Sequence, residues 1–230
     1  MMNFDWLSKY WPLLLDGAFQ TVALLVISVG FGFILAIGLA FAMVSGGPVT
    51  RMLARGYSTL FRGTPLLIQL WLLYYGVGSL LPMVPGLRHS FLWPVLREGF
   101  FFAAVSFTLN YAAYEAEVLR GALLSVPKGE LEAGRALGMS RFTLVRRIWL
   151  PRAIRTALPT IAGEVVLQLK ATPLAFTVTV MDLYAVAFKV RQDTLLVYEP
   201  LLVVTLFYVV LTVLITRAFG IVEAQVPIRR

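Results

Sequence analysis

Apolar residues fall in five long runs, separated by short segments that hold most of the charge. Thr21–Val44 is 24 residues without a charged side chain, enough at 1.5 Å per residue to cross a ~30 Å hydrocarbon core. Further runs follow at about 65–81, 99–119, 156–180 and 199–216. The pattern predicts an all-α membrane protein, one domain over 1–230 with five transmembrane helices. Ahead of the first run, Phe4, Leu7, Trp11 and Leu14 recur at helical spacing in Asn3–Asp16, which predicts an aromatic-rich helix lying in the bilayer interface. Ser45-Gly46-Gly47-Pro48 reads as a turn, Pro82, Pro85 and Gly86 close the second span, and Asp182–Asp193 reads as a polar loop. Gly30, Gly32 and Gly38 either admit a neighbouring helix or are ordinary membrane-helix glycines.

Composition strengthens the membrane reading. The chain is 59% hydrophobic with a mean hydropathy of +0.82, well above the roughly 45–50% apolar of soluble domains. The net charge of +8 suggests nucleic acid at first sight, but the charges lie in short segments between apolar runs, so no nucleic-acid partner is expected. Without cysteine, disulfides, thiolate metal sites and thiol nucleophiles are excluded, and His89 is the only histidine. The acidic Asp5 and Asp16 and the lack of a basic start argue against a cleavable signal peptide.

Pro127–Pro151 breaks the apolar rule. This 25-residue polar, basic island predicts a helix over Glu130–Leu137, a C-terminal cap at Gly138, and a second helix capped by Ser140 and running to Trp149. Pro151 should kink or restart that helix. Ala133, Gly134 and Leu137 form a small-residue face suited to close contact with another protein, although an ordinary interhelical loop explains the segment too. The residues Glu132-Ala133-Gly134, Gly138, Ile148, Leu150 and Pro151 resemble the "EAA" loop of ABC importer permeases, with Gly in place of the second Ala. Phe61–Gly76, FRGTPLLIQLWLLYYG, resembles polar-amino-acid permeases of that family; Arg88–Arg97 resembles opine-uptake permeases; Leu167–Leu183 resembles the M-type permease of histidine and opine systems. The resemblance implies the five-helix core of type I importers and a cytoplasmic coupling helix that sits in a groove of an ATPase. Glu130, Glu132, Ala133, Gly134, Arg135, Gly138 and Arg141 would then be coupling residues. It also implies an ATPase dimer, a sister permease subunit or second copy, a periplasmic solute-binding protein, and a place in the bacterial inner membrane.

Lys and Arg divide into two sets by alternate spans. One has fourteen members, from Arg51 through Arg155 to Arg230, and the other has five (Lys9, Arg88, Arg97, Lys189, Arg191), with Lys170 left inside a span. The positive-inside rule predicts the N-terminus outside and the C-terminus inside.

Polar side chains within spans are costly, roughly 2.5–3.5 kcal/mol for charged groups on insertion scales, and usually face a bundle interior or aqueous path. Asn110, Tyr114 and Glu117 share one face of the third span, and Glu164, Gln168, Ala171 and Ala175 share one face of the fourth. With Gln69, Lys170 and Thr172 these are the candidate path residues; interhelical hydrogen bonding explains Gln69 and Asn110 equally well, and a boundary position explains Glu117. Glu164 lies too deep to be a rim charge and favours a cationic passenger unless Lys170 neutralises it. Many relatives read Lys-Asp-Thr-Ser-Leu where this chain has Lys170-Ala171-Thr172-Pro173-Leu174, so one potential ligand is missing.

No P-loop, H-E-x-x-H or G-x-S-x-G occurs, so the chain is not expected to be an enzyme or to carry a cofactor, ATP belonging to the partner. The leading reading is the permease subunit of an ABC importer for a polar, basic amino acid or an opine. The alternatives are a secondary transporter, which predicts inverted repeats not seen here, and a non-transporting scaffold, which has no need of mid-membrane carboxylates.

Overall fold

The computed structural model describes residues 4–225. α1 (Trp6–Ser45) is a single 40-residue helix, about 60 Å long at 1.5 Å per residue. The separate interfacial helix expected over Asn3–Asp16 is therefore absent: Asn3 lies outside the described residues, and the rest runs into the first span with Pro12 accommodated inside it. Its buried stripe is Trp6, Tyr10, Leu14, Gly17 and Thr21, while Phe4 and Trp11 stay exposed. The buried stripe runs in a different register from the aromatic spacing because α10 and α11 cover it rather than a flat interface.

After the Gly46-Gly47 turn, α2 (Pro48–Gly63) is strongly amphipathic and ends at Thr64-Pro65. α3 (Leu66–Trp71) continues through a π-helical stretch at Leu72–Val77, α4 (Gly78–Leu80) and a 3-10 turn, Leu81–Met83. A short connection carries α5 (Trp93–Leu96). α6 (Gly99–Ser125) extends the third predicted run by about two turns. α7 (Lys128–Ala136) is the short polar helix, and α8 (Arg141–Leu144), a π-helical turn at Val145–Trp149, and α9 (Leu150–Ala171) follow as one rod ending in a 3-10 segment, Thr172–Val178. Pro151 thus falls in the first turn of the α-helix that starts again at Leu150 after the π-helical turn, as a restart requires. It lies just past a widened turn, where the loss of its N–H is absorbed. α10 (Leu183–Thr194) replaces the expected polar loop, and α11 (Tyr198–Gln225) closes the bundle. The loop reading of 182–193 gave weight to Lys189, Arg191 and Asp193 and overlooked the helical stripe Leu183, Val186, Ala187 and Val190, all buried.

Four of these rods are long and apolar enough to cross a membrane: Trp6–Ser45, Leu66–Met83, Arg141–Val178 and Tyr198–Gln225. α6 has the length but is less apolar, and it sits at the centre. It packs against α1, α2, α3 and α9, with Ala112, Ala113 and Ala116 fully buried so that neighbours approach closely. On the α1 side, a Cβ at Gly32 would lie 2.8 Å from Tyr111 and 3.0 Å from the Thr108 carbonyl, so the contact requires glycine. Gly30 and Gly38 have open space beside them and carry no such role. Elsewhere the ends of α1, α10 and α11 share a core of Trp6, Leu14, Val186 and Val204.

Candidate functional site

The break between α2 and α3 positions the polar centre. Helix ends leave carbonyls unpaired, and Pro65 has no N–H to offer. The Gln69 amide turns back to donate to the carbonyls of Phe61 (2.7 Å) and Thr64 (3.0 Å) and to Thr64 Oγ1 (2.8 Å). Asn110 Nδ2 of α6 donates to the same Phe61 carbonyl (3.2 Å) and to Gln69 Oε1 (3.0 Å). Gln69 is thereby consumed in structure and faces an apolar groove with Leu60, Ile68 and Leu72. Asn110 has a double position, bonded to the break and also lining a cleft.

That cleft, about 230 Å³, lies between α6 and α9 and is lined by Asn110, Tyr111, Tyr114, Glu164, Gln168 and Ala171, with Leu66 and Leu167. The two helix faces singled out by spacing do meet. Gln168 is held by donating to Ser28 Oγ (3.2 Å) and the Phe107 carbonyl (3.3 Å). Glu164 is half-buried and makes no hydrogen bond or ion pair among the described residues, so its carboxylate is open to a cleft occupant. The other candidates fall outside. Ala175 is buried against α1, α3 and α6, and Thr172 is buried with Oγ1 donating to the Leu169 carbonyl and paired with Tyr208 Oη at 3.0 Å. Lys170 is exposed on another face without an ion pair among the described residues, so it does not neutralise Glu164. Glu117 sits beyond Tyr114, bound to Arg120 Nε at 2.6 Å and to Ser58 Oγ at 3.3 Å.

Sequence reasoning passed over Glu115 and Asp182. Glu115 is fully buried, with neither carboxylate oxygen hydrogen-bonded; Tyr111, one turn before it, is near but makes no close bond. Asp182 is also fully buried and caps α10 by accepting from the Ala185 N–H at 2.9 Å. Its place directly before an i, i+3, i+4 apolar pattern was the available signal.

At one end of the bundle, α7 projects with Glu132, Ala133, Arg135 and Leu137 exposed. Gly138 has φ +77°, and the Met139 N–H donates to the Gly134 carbonyl (3.1 Å), the glycine-ended cap the sequence implied. Ser140 accepts from the Thr143 N–H (3.2 Å), again as expected. Gly134 departs from expectation. It points inward, where an added Cβ would lie 2.5 Å from Leu144 Cδ1, so its small size seats α7 on the following rod and leaves Ala133 and Leu137 as the outward part of the face. Glu130 is also turned toward the bundle, bridging to Arg152 through Oε2–Nε at 2.9 Å and Oε1–Nη2 at 2.6 Å. Arg141 shares a surface hollow with Arg135, Phe41 and Ser45.

Residues 17–226 match the family described as binding-protein-dependent transport system inner membrane component. The chain belongs to that family. It is an inner-membrane permease of the ABC importer type, and the polar cleft between α6 and α9 is a feature of that permease. It is 42% identical over 218 residues to the octopine transport system permease protein OccM of Rhizobium radiobacter, covering 94% of this chain and 87% of that one. The histidine/lysine/arginine/ornithine transport system permease protein HisM of Escherichia coli K12 is 37% identical, covering 95% and 94%. Among solved structures, an amino acid ABC transporter with histidines superposes with a TM-score of 0.78 at 28% identity, over 97% of this chain and all of that one. The MetNI methionine ABC transporter gives 0.76 at 20% identity over 95% and 98%, a likeness of fold.

Proposed function

We propose that this permease passes a cationic amino acid or an opine through the cleft at Glu164, driven by an ATPase that docks on α7. The observation that carries the reading is an unpaired carboxylate, Glu164, in the polar cleft between α6 and α9. A charge kept at that depth is costly unless something uses it, and relatives named for octopine, nopaline and basic amino acids fit a cationic passenger. Ala171, in place of the aspartate common in relatives, lines the same cleft about two turns from Glu164, so Glu164 takes the cation-binding role on that face.

The α7 end is the cytoplasmic end, with the N-terminus outside and the C-terminus inside. Arg135, Arg141, Arg147, Arg152 and Arg155 gather there, while Lys9 and Lys189 lie with Tyr10 and Asp193 at the opposite end. α7 is the coupling helix: Glu132 and Arg135 make polar contacts with the ATPase, Ala133 and Leu137 fit its groove, and the Glu130–Arg152 bridge passes motion into α9 and thus to Glu164. Closure of the paired ATPases would rock the spans around the cleft. A sister subunit completes the path, and an external binding protein delivers the solute.

Deleting Glu130–Gly138 tests the coupling half. The protein should still insert, while uptake of labelled amino acid stops and the ATPase no longer co-purifies; continued uptake would point to a secondary carrier. Replacing Glu164 with Gln tests the cleft half, and should lower uptake of cationic substrates about tenfold more than of neutral ones. An equal loss for both would remove Glu164 from the cation site.

A further inference from the structure

Arg62 is the last charged residue of α2, and the topology count assigned it to a cytoplasmic segment. The structure sets it against one wall residue of the cleft, Tyr114. Its guanidinium lies over the Tyr114 ring, 5.5 Å from the centroid, and that ring lines the cleft. Its one ion-pair partner among the described residues is Glu117, at a loose 3.8 Å. Glu117 is already held by Arg120 at 2.6 Å and Ser58 at 3.3 Å, so its charge is balanced without Arg62. Arg62 makes no hydrogen bond to any described residue, and its side chain is 43% exposed.

An underused cation therefore stacks on Tyr114 of the cleft wall, and an unpaired anion, Glu164, lies in the same wall. A guanidinium offers five N–H donors in a planar fork that matches a carboxylate with two parallel hydrogen bonds. The stacking on Tyr114 orients that fork without occupying its donors. We propose that Arg62 is the specificity-determining residue for the passenger's carboxylate, with Glu164 taking its cationic group. The site then selects dipolar solutes, namely amino acids with a cationic side chain or opines, over cationic amines that lack a carboxylate. This rests on the reading of the cleft as the solute path.

The test is equilibrium binding of labelled L-arginine and of agmatine, which has the same guanidinium but no carboxylate, to the purified permease–ATPase complex without the binding protein. The intact complex should favour arginine about tenfold or more, the range of a charge-assisted hydrogen-bond pair. Arg62→Gln should bring arginine down to the level of agmatine and leave agmatine binding unchanged. Arg62→Lys, which keeps the charge and loses the fork, should fall between. Glu164→Gln should weaken both ligands alike. If Arg62→Gln keeps the intact preference, or loses both ligands in parallel, the proposal is overturned. If Glu164→Gln binds both ligands normally while Arg62→Gln collapses the preference, the cation site at Glu164 fails and the carboxylate assignment stands. If the intact complex binds neither arginine nor octopine, both readings fall.

Discussion

α11 and α6 are both long enough to cross a bilayer, and they follow opposite rules. α11 is among the most apolar stretches of the chain, yet only Pro200 and Val204 are buried along it; Leu206, Val209, Val210 and Val213 face outward. α6 carries Asn110, Glu115, Glu117 and Arg120, and buried residues recur along it from Gly99 to Leu123. In water the most apolar helix would be the core. In lipid the solvent is itself apolar, so hydropathy marks the face that meets lipid or a partner, while close packing and polar bonding mark the centre. The less apolar helix is the one around which the site is built.

Bulk should separate the two helices most. Ala116 is fully buried, so Ala116→Phe should destabilise the protein by about 3 kcal/mol and abolish monodisperse protein in size-exclusion chromatography. Val209 is 52% exposed, so Val209→Phe should stay within about 0.5 kcal/mol; a large loss there would mean that a protein partner covers α11. Polar truncation comes next. Asn110→Ala leaves Gln69 Oε1 without its donor and should cost about 1–3 kcal/mol in thermal unfolding. Thr205→Ala on α11, which removes only a bond to its own helix at the Leu201 carbonyl, should be close to silent. At the α7 end, Glu132→Ala should abolish ATPase co-purification with no change in melting temperature, because Glu132 is exposed, whereas Glu130→Ala should lower the melting temperature slightly by unpairing Arg152.

The smallest effect lies at the far end. Tyr10 donates to Asp193 Oδ2 at 2.7 Å, and this bond, with Lys189 at 3.4 Å and Lys9 nearby, holds the Asp193 carboxyl below its ordinary value. A depressed carboxyl contributes stability in full above its unfolded pKa of about 3.9 and loses it as pH falls through the folded value. The melting-temperature difference between the native protein and Asp193→Asn should be constant from pH 8 to 6 and shrink as acid protonates the carboxylate; a difference that grows in acid would reverse the sign assigned to this contact.

Long apolar runs made the spans legible, and the Gly138 and Ser140 caps were legible because cap chemistry is local. The cleft was legible as two helix faces, since Asn110–Tyr114 and Glu164–Gln168 each repeat every four residues. What stayed hidden depends on which partner meets which face. Gly134 looks like an outward small residue until Leu144 is folded against it, and Arg62 looks like a loop cation until α2 is carried alongside α6. Thr172 sits in the segment that resembles M-type permeases, but the 3-10 geometry after Ala171 turns it to Tyr208. Glu115 and Glu117 are two residues apart on a helix, about 200° around its axis, and no periodicity argument says which of the two finds arginines and which is sealed in.

The chain has no native cysteine, so a single Ala171→Cys provides a unique thiol in the cleft wall. Its reaction with a membrane-impermeant methanethiosulfonate reagent in the assembled importer, with and without L-arginine or octopine, tests the cleft as a solute path most directly. The account predicts reaction at a measurable rate and protection by one of those solutes. A thiol that never reacts, or reacts equally fast at saturating concentrations of both, would contradict it.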